Sequence, residues 1–276
     1  MGRIEARFAA LKKEGKKAFV AYLTAGDPDM KTTADLILAL EATGVDIIEI
    51  GVPFSDPTAD GPAIQAASQR ALKRGTTLQK ILAMIASVRR KSGIPIVLFG
   101  YFNPILSYGT EKFAADAKSA GVDGLLVVDL PPEEAGELRL YTDPAGLAFI
   151  TLIAPTTDPG RIGKILRGAA GFVYFISVTG VTGAAAPRTQ DIRRDVGRIK
   201  QMTTLPIAVG FGISTPEQAA AIVPLADGIV VGSALVRLIA EKRRSDAVVR
   251  AVAALAAKIR RAIDTPALRG RHLTQG

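Results

Sequence analysis

Short runs of Val, Ile, Leu and Phe recur along this chain, separated by stretches in which apolar residues return with a helical period. The runs are too uniformly apolar for strands with one solvated face, which would place a polar residue at every second position. Eight of them qualify as strands: "AFVAYLT" (18–24), "DIIEIG" (46–51), "PIVLFGY" (95–101), "GLLVVDL" (124–130), "LAFITLIA" (147–154), "FVYFIS" (172–177), "PIAVGFG" (206–212) and "DGIVVG" (227–232). Between them lie helices with readable ends. "TTLQKILAMIASVRRKSG" begins at a Thr pair and stops at Gly93, and "STPEQAAAIV" offers Ser214 as N-cap with Glu217 three residues on. Strand–helix alternation implies parallel strands, because parallel neighbours need a crossover.

Eight such units in 276 residues fit an α/β fold of one kind, a (β/α)8 TIM barrel, whose usual length is about 250 residues. The rival, an open doubly wound sheet, would carry a Gly-rich turn directly after its first strand. Here that strand runs into "TAGDPD", without the G-x-G-x-x-G spacing. An internal echo also favours the barrel: "TGVDIIEIG", "AGVDGLLVVD" and "LADGIVVGS" each pass from a small-residue turn through Asp into a strand. Ile4, Phe8 and Leu11 share one helical face, so "MGRIEARFAALKKEG" reads as an additional N-terminal helix docked on its own domain. With no linker or low-complexity segment, residues 1–276 form a single domain, and the basic tail 266–276 is expected to be poorly ordered.

Composition narrows the chemistry. Without cysteine there is no disulfide framework, thiolate nucleophile or Cys-ligated zinc. The one histidine, His272, sits in the polar tail, which argues against a Ser–His–Asp triad or a His-rich metal site. Proton transfer then falls to Asp, Glu, Lys or Tyr, and no metal is expected. The net charge of +9 is concentrated at the ends: residues 1–17 carry +4 and residues 241–276 carry +6, leaving 18–240 at −1. A near-neutral body without Trp is a poor nucleic-acid surface, so no nucleic-acid partner is expected. No apolar run approaches the ~18 residues of a membrane span, and the N-terminus lacks the apolar core of a signal peptide. No membrane partner and a cytoplasmic location are the expectation.

In a barrel the chemistry gathers where strands end and βα-loops begin. Glu49 falls near the end of the second strand, between Ile48 and Ile50, where desolvation would raise its pKa toward neutrality. It is either a general acid/base or one partner of a buried ion pair. Asp60 lies in the loop "SDPTADGP" and is either turn chemistry or a second catalytic carboxylate, whereas Asp56 fits a turn. Asp129 ends the fourth strand and Tyr174 lies in the sixth. Gly212, Gly232 and Ser233, with the Gly-rich "VTGVTGAAAP" after strand six, occupy the loops where barrels bind phosphate through backbone N–H groups and a helix N-terminus.

The string "IEIGVPFSDPTADGPAIQ", preceded by "YLTAGDPD" and followed by "GYFNPILSYG", "VVDLPPEE", "LIAPTT", "SVTGVTG", "VGFGIS" and "VVGSALV", closely resembles the tryptophan synthase α subunit family. The match runs in order from the N-terminal helix to about residue 260. It implies a (β/α)8 barrel lyase that cleaves indole-3-glycerol phosphate to indole and glyceraldehyde 3-phosphate without a cofactor of its own. The catalytic glutamate and aspartate would fall on Glu49 and Asp60. Tyr174 would match a substrate-site tyrosine, and Gly183, Gly212, Gly232 and Ser233 the phosphate ligands. Phe211, Tyr22 and Phe99 would line the indole pocket, and Thr182 would be a lid threonine. The resemblance also implies an αββα heterotetramer with a pyridoxal-phosphate β subunit, contacted through "PFSDPTADG", "FNPILSYG" and "LPPEE". Two alternatives are a stand-alone lyase releasing free indole and a catalytically silent activator of a β subunit. "ELRLYTDPAGLAF", "GAAAPRTQDIRRD" and "PALRGRHLTQG" depart from the family pattern.

Overall fold

The computed structural model describes residues 1–177, 189–210, 212–241 and 244–265. Among the described residues nine strands are present: β1 (Ala18–Thr24), β2 (Ile47–Gly51), β3 (Ile96–Gly100), β4 (Gly124–Val127), β5 (Ala148–Phe149), β6 (Thr151–Ile153), β7 (Val173–Ile176), β8 (Ile207–Gly210) and β9 (Gly228–Val231). The helices are α1 (Arg3–Lys13), α2 (Met30–Ala42), α3 (Pro62–Lys73), α4 (Leu78–Arg89), α5 (Phe102–Tyr108), α6 (Thr110–Ala120), α7 (Gly136–Thr142), α8 (Pro159–Leu166), α9 (Thr189–Lys200), α10 (Pro216–Ile222), α11 (Ser233–Glu241) and α12 (Ser245–Asp264).

All strand pairs are parallel, in the order β5-β4-β3-β2-β1-β9-β8-β7-β6. The predicted strand 147–154 is therefore divided at Ile150: its first half pairs with β4 and its second with β7. Ile150 N–H donates to the Leu125 carbonyl at 2.8 Å, and the Phe149 carbonyl accepts from Ala170 N–H at 3.0 Å. The sheet thus closes through one continuous stretch of chain, giving eight barrel strands and the expected TIM-barrel architecture. The segment before it, irregular in sequence, is the short helix α7 followed by turns.

Alternation along each strand sorts side chains into two layers. Phe19, Ala21, Leu23, Ile48 and Ile50 face outward and pack beneath the helices. Val20, Ile47, Val97, Leu126, Phe172 and Val230 fill the interior. Ile4, Phe8 and Leu11 of α1 join this inner cluster, so the N-terminal helix plugs the end of the barrel where strands begin.

The echoed Asp residues act at that same end. Asp46 donates its N–H to the Phe19 carbonyl while its carboxylate accepts Phe19 N–H at 2.7 Å. Asp123 does the same with Ile96 and Asp227 with Ile207, each carboxylate reaching back to the neighbouring strand. Cations complete each clamp: Arg7 and Arg260 on Asp46, Arg3 and Arg89 on Asp123, Lys200 and Lys17 on Asp227. On β7 the site has no such Asp; there Phe172 packs on Phe8 instead, ring centroids 5.7 Å apart.

One cap differs from expectation. The N-cap of α10 is Thr215, not Ser214, and its capping-box partner is Gln218, not Glu217. Pro216, which has no N–H to lose, takes the first helical position and fixes the register. The Gln218 side chain also accepts from Ser214 N–H at 2.8 Å.

The clamps differ in burial, and their removal should rank accordingly. Asp46→Ala, which removes the almost fully buried carboxylate shared by Arg7, Arg260 and the Phe19 N–H, should cost about 3–5 kcal/mol in urea unfolding. Asp227→Ala, at a carboxylate one-third exposed, should cost nearer 1 kcal/mol.

Candidate active site

The inward face of β2 continues from Ile47 to Glu49, whose register partners are Tyr22 on β1 and Val97 on β3. Glu49 is 1% exposed, and neither carboxylate oxygen has a hydrogen-bond partner among the described residues. The ion-pair reading is thereby removed. Burial alone pushes its pKa up to about 8. A carboxyl group that is neutral at pH 7, in the interior beside the barrel mouth, is equipped to give and recover a proton.

Asp60 stands in the loop that β2 feeds, one residue before the Gly61 N-cap of α3. Its carboxyl group is pushed up to about 6 by partial burial, against the pull of the Tyr101 hydroxyl, which favours the ionised form. The loop is pinned by three contacts: Ala59 N–H to Tyr101 Oη at 2.9 Å, Gln65 Nε2 to the Asp60 carbonyl at 2.8 Å, and Phe54 against the Tyr101 ring at 5.3 Å. Asp56 receives the Ser55 hydroxyl locally, in keeping with its turn role.

Tyr22 and Phe99 meet edge to face, centroids 5.4 Å apart at 84°. With Ala63, Ile64, Ala67 and Val236 they make a small apolar wall between the barrel interior, α3 and α11. The Tyr22 hydroxyl accepts from Thr24 Oγ1 at 3.4 Å, and burial, with the Asp60 and Glu49 charges adding to it, raises its pKa well above the usual phenol value. Tyr174 is likewise buried, and burial chiefly, then the Glu49 charge, raises its pKa. Both hydroxyls lie over glycines: a Cβ on Gly51 would overlap the Tyr22 hydroxyl, and one on Gly210 the Tyr174 hydroxyl. These two glycines and Tyr101 escaped sequence reading, since nothing local separates a glycine that seats a ring from one that turns a chain.

Across the mouth, Gly212 has φ +81° and open space about its Cα, and Gly232 receives the Leu235 and Val236 N–H groups at the start of α11. Ser233 is the first residue of that helix, whose opening N–H groups have no intrahelical acceptor. Thr182, Gly183 and Phe211 lie outside the described residues. Asp129 falls two residues beyond β4, in a turn, and its carboxylate accepts Phe102 N–H at 2.8 Å. Among the described residues no group of His, Cys, Asp and Glu is arranged to hold a metal ion, and no helix is long and apolar enough to cross a membrane.

Glu49 binds its proton more tightly in the folded chain than in the unfolded one. Below the ordinary carboxyl pKa both states are protonated and no penalty exists; between there and pH 8 only the unfolded state ionises, and stability falls. Glu49→Gln should therefore match the parent in urea unfolding near pH 4 and exceed it by a few kcal/mol at pH 8, on the order expected for such a shift. Equal stability at both pH values would contradict the desolvated carboxyl.

Residues 8–264 match the family model described as tryptophan synthase alpha chain. The tryptophan synthase alpha chain of Geotalea daltonii is 58% identical over 237 residues, covering 86% of this chain and 90% of that protein. The Geobacter sulfurreducens counterpart is 54% identical over 263 residues, 95% of this chain and 99% of that one. A crystal structure of tryptophan synthase subunit alpha from Legionella pneumophila superposes with a TM-score of 0.87 at 38% identity, covering 96% of this chain and 99% of the other. A Mycobacterium tuberculosis tryptophan synthase structure gives 0.87 at 36% identity, again covering 96% and 99%. This chain belongs to the tryptophan synthase alpha chain family.

Proposed function

We propose that Glu49 and Asp60 divide the chemistry of the alpha reaction, the cleavage of indole-3-glycerol phosphate to indole and glyceraldehyde 3-phosphate, which family membership assigns to this lyase. The observation that carries the reading is the carboxyl of Glu49, buried opposite Tyr22 and without a hydrogen-bond partner among the described residues. Neutral Glu49 delivers its proton to indole C3, which places positive charge on the indole nitrogen. Ionised Asp60 accepts the indole N–H hydrogen bond and stabilises that charge. The Glu49 carboxylate then removes the proton of the glycerol hydroxyl next to the ring. As that oxygen becomes the aldehyde, the C–C bond to C3 breaks and its electrons restore the aromatic indole. One proton enters and one returns to Glu49, so the chain needs no cofactor for the step.

In this reading Tyr22 and Phe99 flank the indole, with Tyr174 beside the glycerol chain. The phosphate sits on the backbone N–H groups at Gly212, Gly232 and Ser233, where the dipole of α11 favours a dianion. Gly183, Thr182 and Phe211 complete the site in the family pattern. The partner would be a β subunit carrying pyridoxal phosphate in an αββα assembly, docking on the loops after β2, β3 and β4. Support for that face comes from α5, which leaves Leu106 half exposed. The expected compartment is the cytoplasm.

Glu49→Gln should lower indole release by at least about 10³-fold while phosphate-substrate binding, measured calorimetrically, changes little. Asp60→Asn should lower kcat by about 10²-fold or more, as loss of a charge-stabilising group does. A raised KM with unchanged kcat would make Asp60 a binding residue instead. Adding a β subunit to the wild-type chain should raise the rate of indole formation and co-elute with it in gel filtration; independence of the two chains would exclude the assembly.

A further inference from the structure

Tyr101 ends the stretch that leaves β3 and is 3% exposed. Its contacts reach both limbs of the loop 52–61. On the outgoing limb its ring lies against Phe54 at 5.3 Å and 34°. On the returning limb its hydroxyl accepts Ala59 N–H at 2.9 Å, one residue before Asp60, and the phenol favours the ionised form of the Asp60 carboxyl. The next residue, Phe102, donates its N–H to Asp129 in the loop after β4. A Tyr–Phe dipeptide at the start of α5 therefore fastens two neighbouring loops to the end of one rigid strand.

A carboxylate on a loop this long, rich in Pro and Gly and without secondary structure, reacts well only if something fixes its approach. Gln65 holds the Asp60 backbone, but it bonds the carbonyl and leaves the carboxyl free to turn. We infer that Tyr101 is a positioning residue for the alpha reaction: it latches the loop 52–61 across the barrel mouth, aims the Asp60 carboxylate inward, and ties that carboxylate mechanically to α5. The inference rests on the catalytic reading of Asp60 given above.

The titratable groups around Asp60 are few. Among the described residues they are Tyr101 from the end of β3 and Tyr22 from β1, which also feels the charge of Glu49 on β2; Asp129, from the loop after β4, faces Tyr101. None is a cation. The Tyr101 hydroxyl is then the group that favours ionised Asp60, and its removal raises the carboxyl pKa further above its ordinary value.

Tyr101→Phe removes the hydroxyl and keeps the ring on Phe54. In chain labelled with ¹³C at Asp carboxyls, with Asp60→Asn identifying the resonance, the Asp60 midpoint should rise by about one pH unit in Tyr101→Phe. The acid limb of kcat/KM should move up by the same amount, so that activity falls about tenfold below pH 6 and little above pH 8. Tyr101→Leu, which frees both limbs, should lower kcat at all pH values, with an unchanged far-UV dichroism spectrum. An unmoved Asp60 midpoint in Tyr101→Phe overturns the latch. A shifted midpoint with an active Asp60→Asn variant leaves the latch standing and overturns the catalytic role of Asp60 instead.

Discussion

The clamp between Asp46 and Phe19 fixes the register of β2 on β1, and the site depends on that register. Backbone N–H of Asp46 bonds the Phe19 carbonyl, and its carboxylate takes the Phe19 N–H in return, so the two strands are held at one residue from both directions. Three residues further along β2, the same alternation points Glu49 into the barrel opposite Tyr22. A slip of one residue would send Glu49 into the helix layer and turn Ile48 and Ile50 inward. Arg7 and Arg260 bring α1 and α12 to the same carboxylate, so both ends of the described chain reinforce the register on which the mouth relies.

Two carboxylates three residues apart thus meet opposite fates. Asp46 and Glu49 are both almost wholly buried, at 2% and 1% exposure. Asp46 has two guanidinium groups and a backbone N–H. Glu49 has no hydrogen-bond partner among the described residues and responds by keeping its proton. Asp60, only partly buried and steadied by Tyr101, titrates lower, at about 6. At pH 7 one group is a neutral acid and the other an anion, the separation of roles that an acid/base pair needs. The cost of leaving Glu49 unpaired is borne by the dense apolar interior and by the clamps at the far end of the barrel.

Much of this was legible before any coordinates. All eight barrel strands were readable because parallel strands covered on both faces must be apolar throughout. Ile4, Phe8 and Leu11 announced a docked helix by their spacing, and Glu49 stood out because a carboxylate inside such a strand has no ordinary reason to be there. The repeated Asp at the strand starts was visible as a pattern, but its meaning was not, since the N–H it accepts belongs to a different strand. Tyr101 was hidden for a related reason: an aromatic residue at a strand end reads as core, and only the fold brings Ala59 and Phe54 to it. Thr215 displaced Ser214 as a cap because a single proline decided between two equally good capping residues.

The charge distribution bears on the same chemistry. None of the described loops at the mouth (residues 24–29, 51–61, 128–135, 154–158, 212–215 and 232) contains Lys or Arg, although the chain as a whole carries a net charge of +9. A lysine or arginine beside the phosphate would be the direct way to hold a dianion. Its field would also favour the ionised form of Glu49 and draw its pKa back toward the ordinary range. In the proposed reading, backbone N–H groups at Gly212, Gly232 and Ser233 and the end of the α11 dipole would attract phosphate with partial charges whose reach fades within a turn. The phosphate would therefore be held by groups too short-ranged to disturb the carboxyl that must stay neutral. The cations that do reach mouth loops come from helices and are each matched by a carboxylate, Arg70 by Asp27 and Arg161 by Glu133, while others hold Asp46, Asp123 and Asp227 at the opposite end.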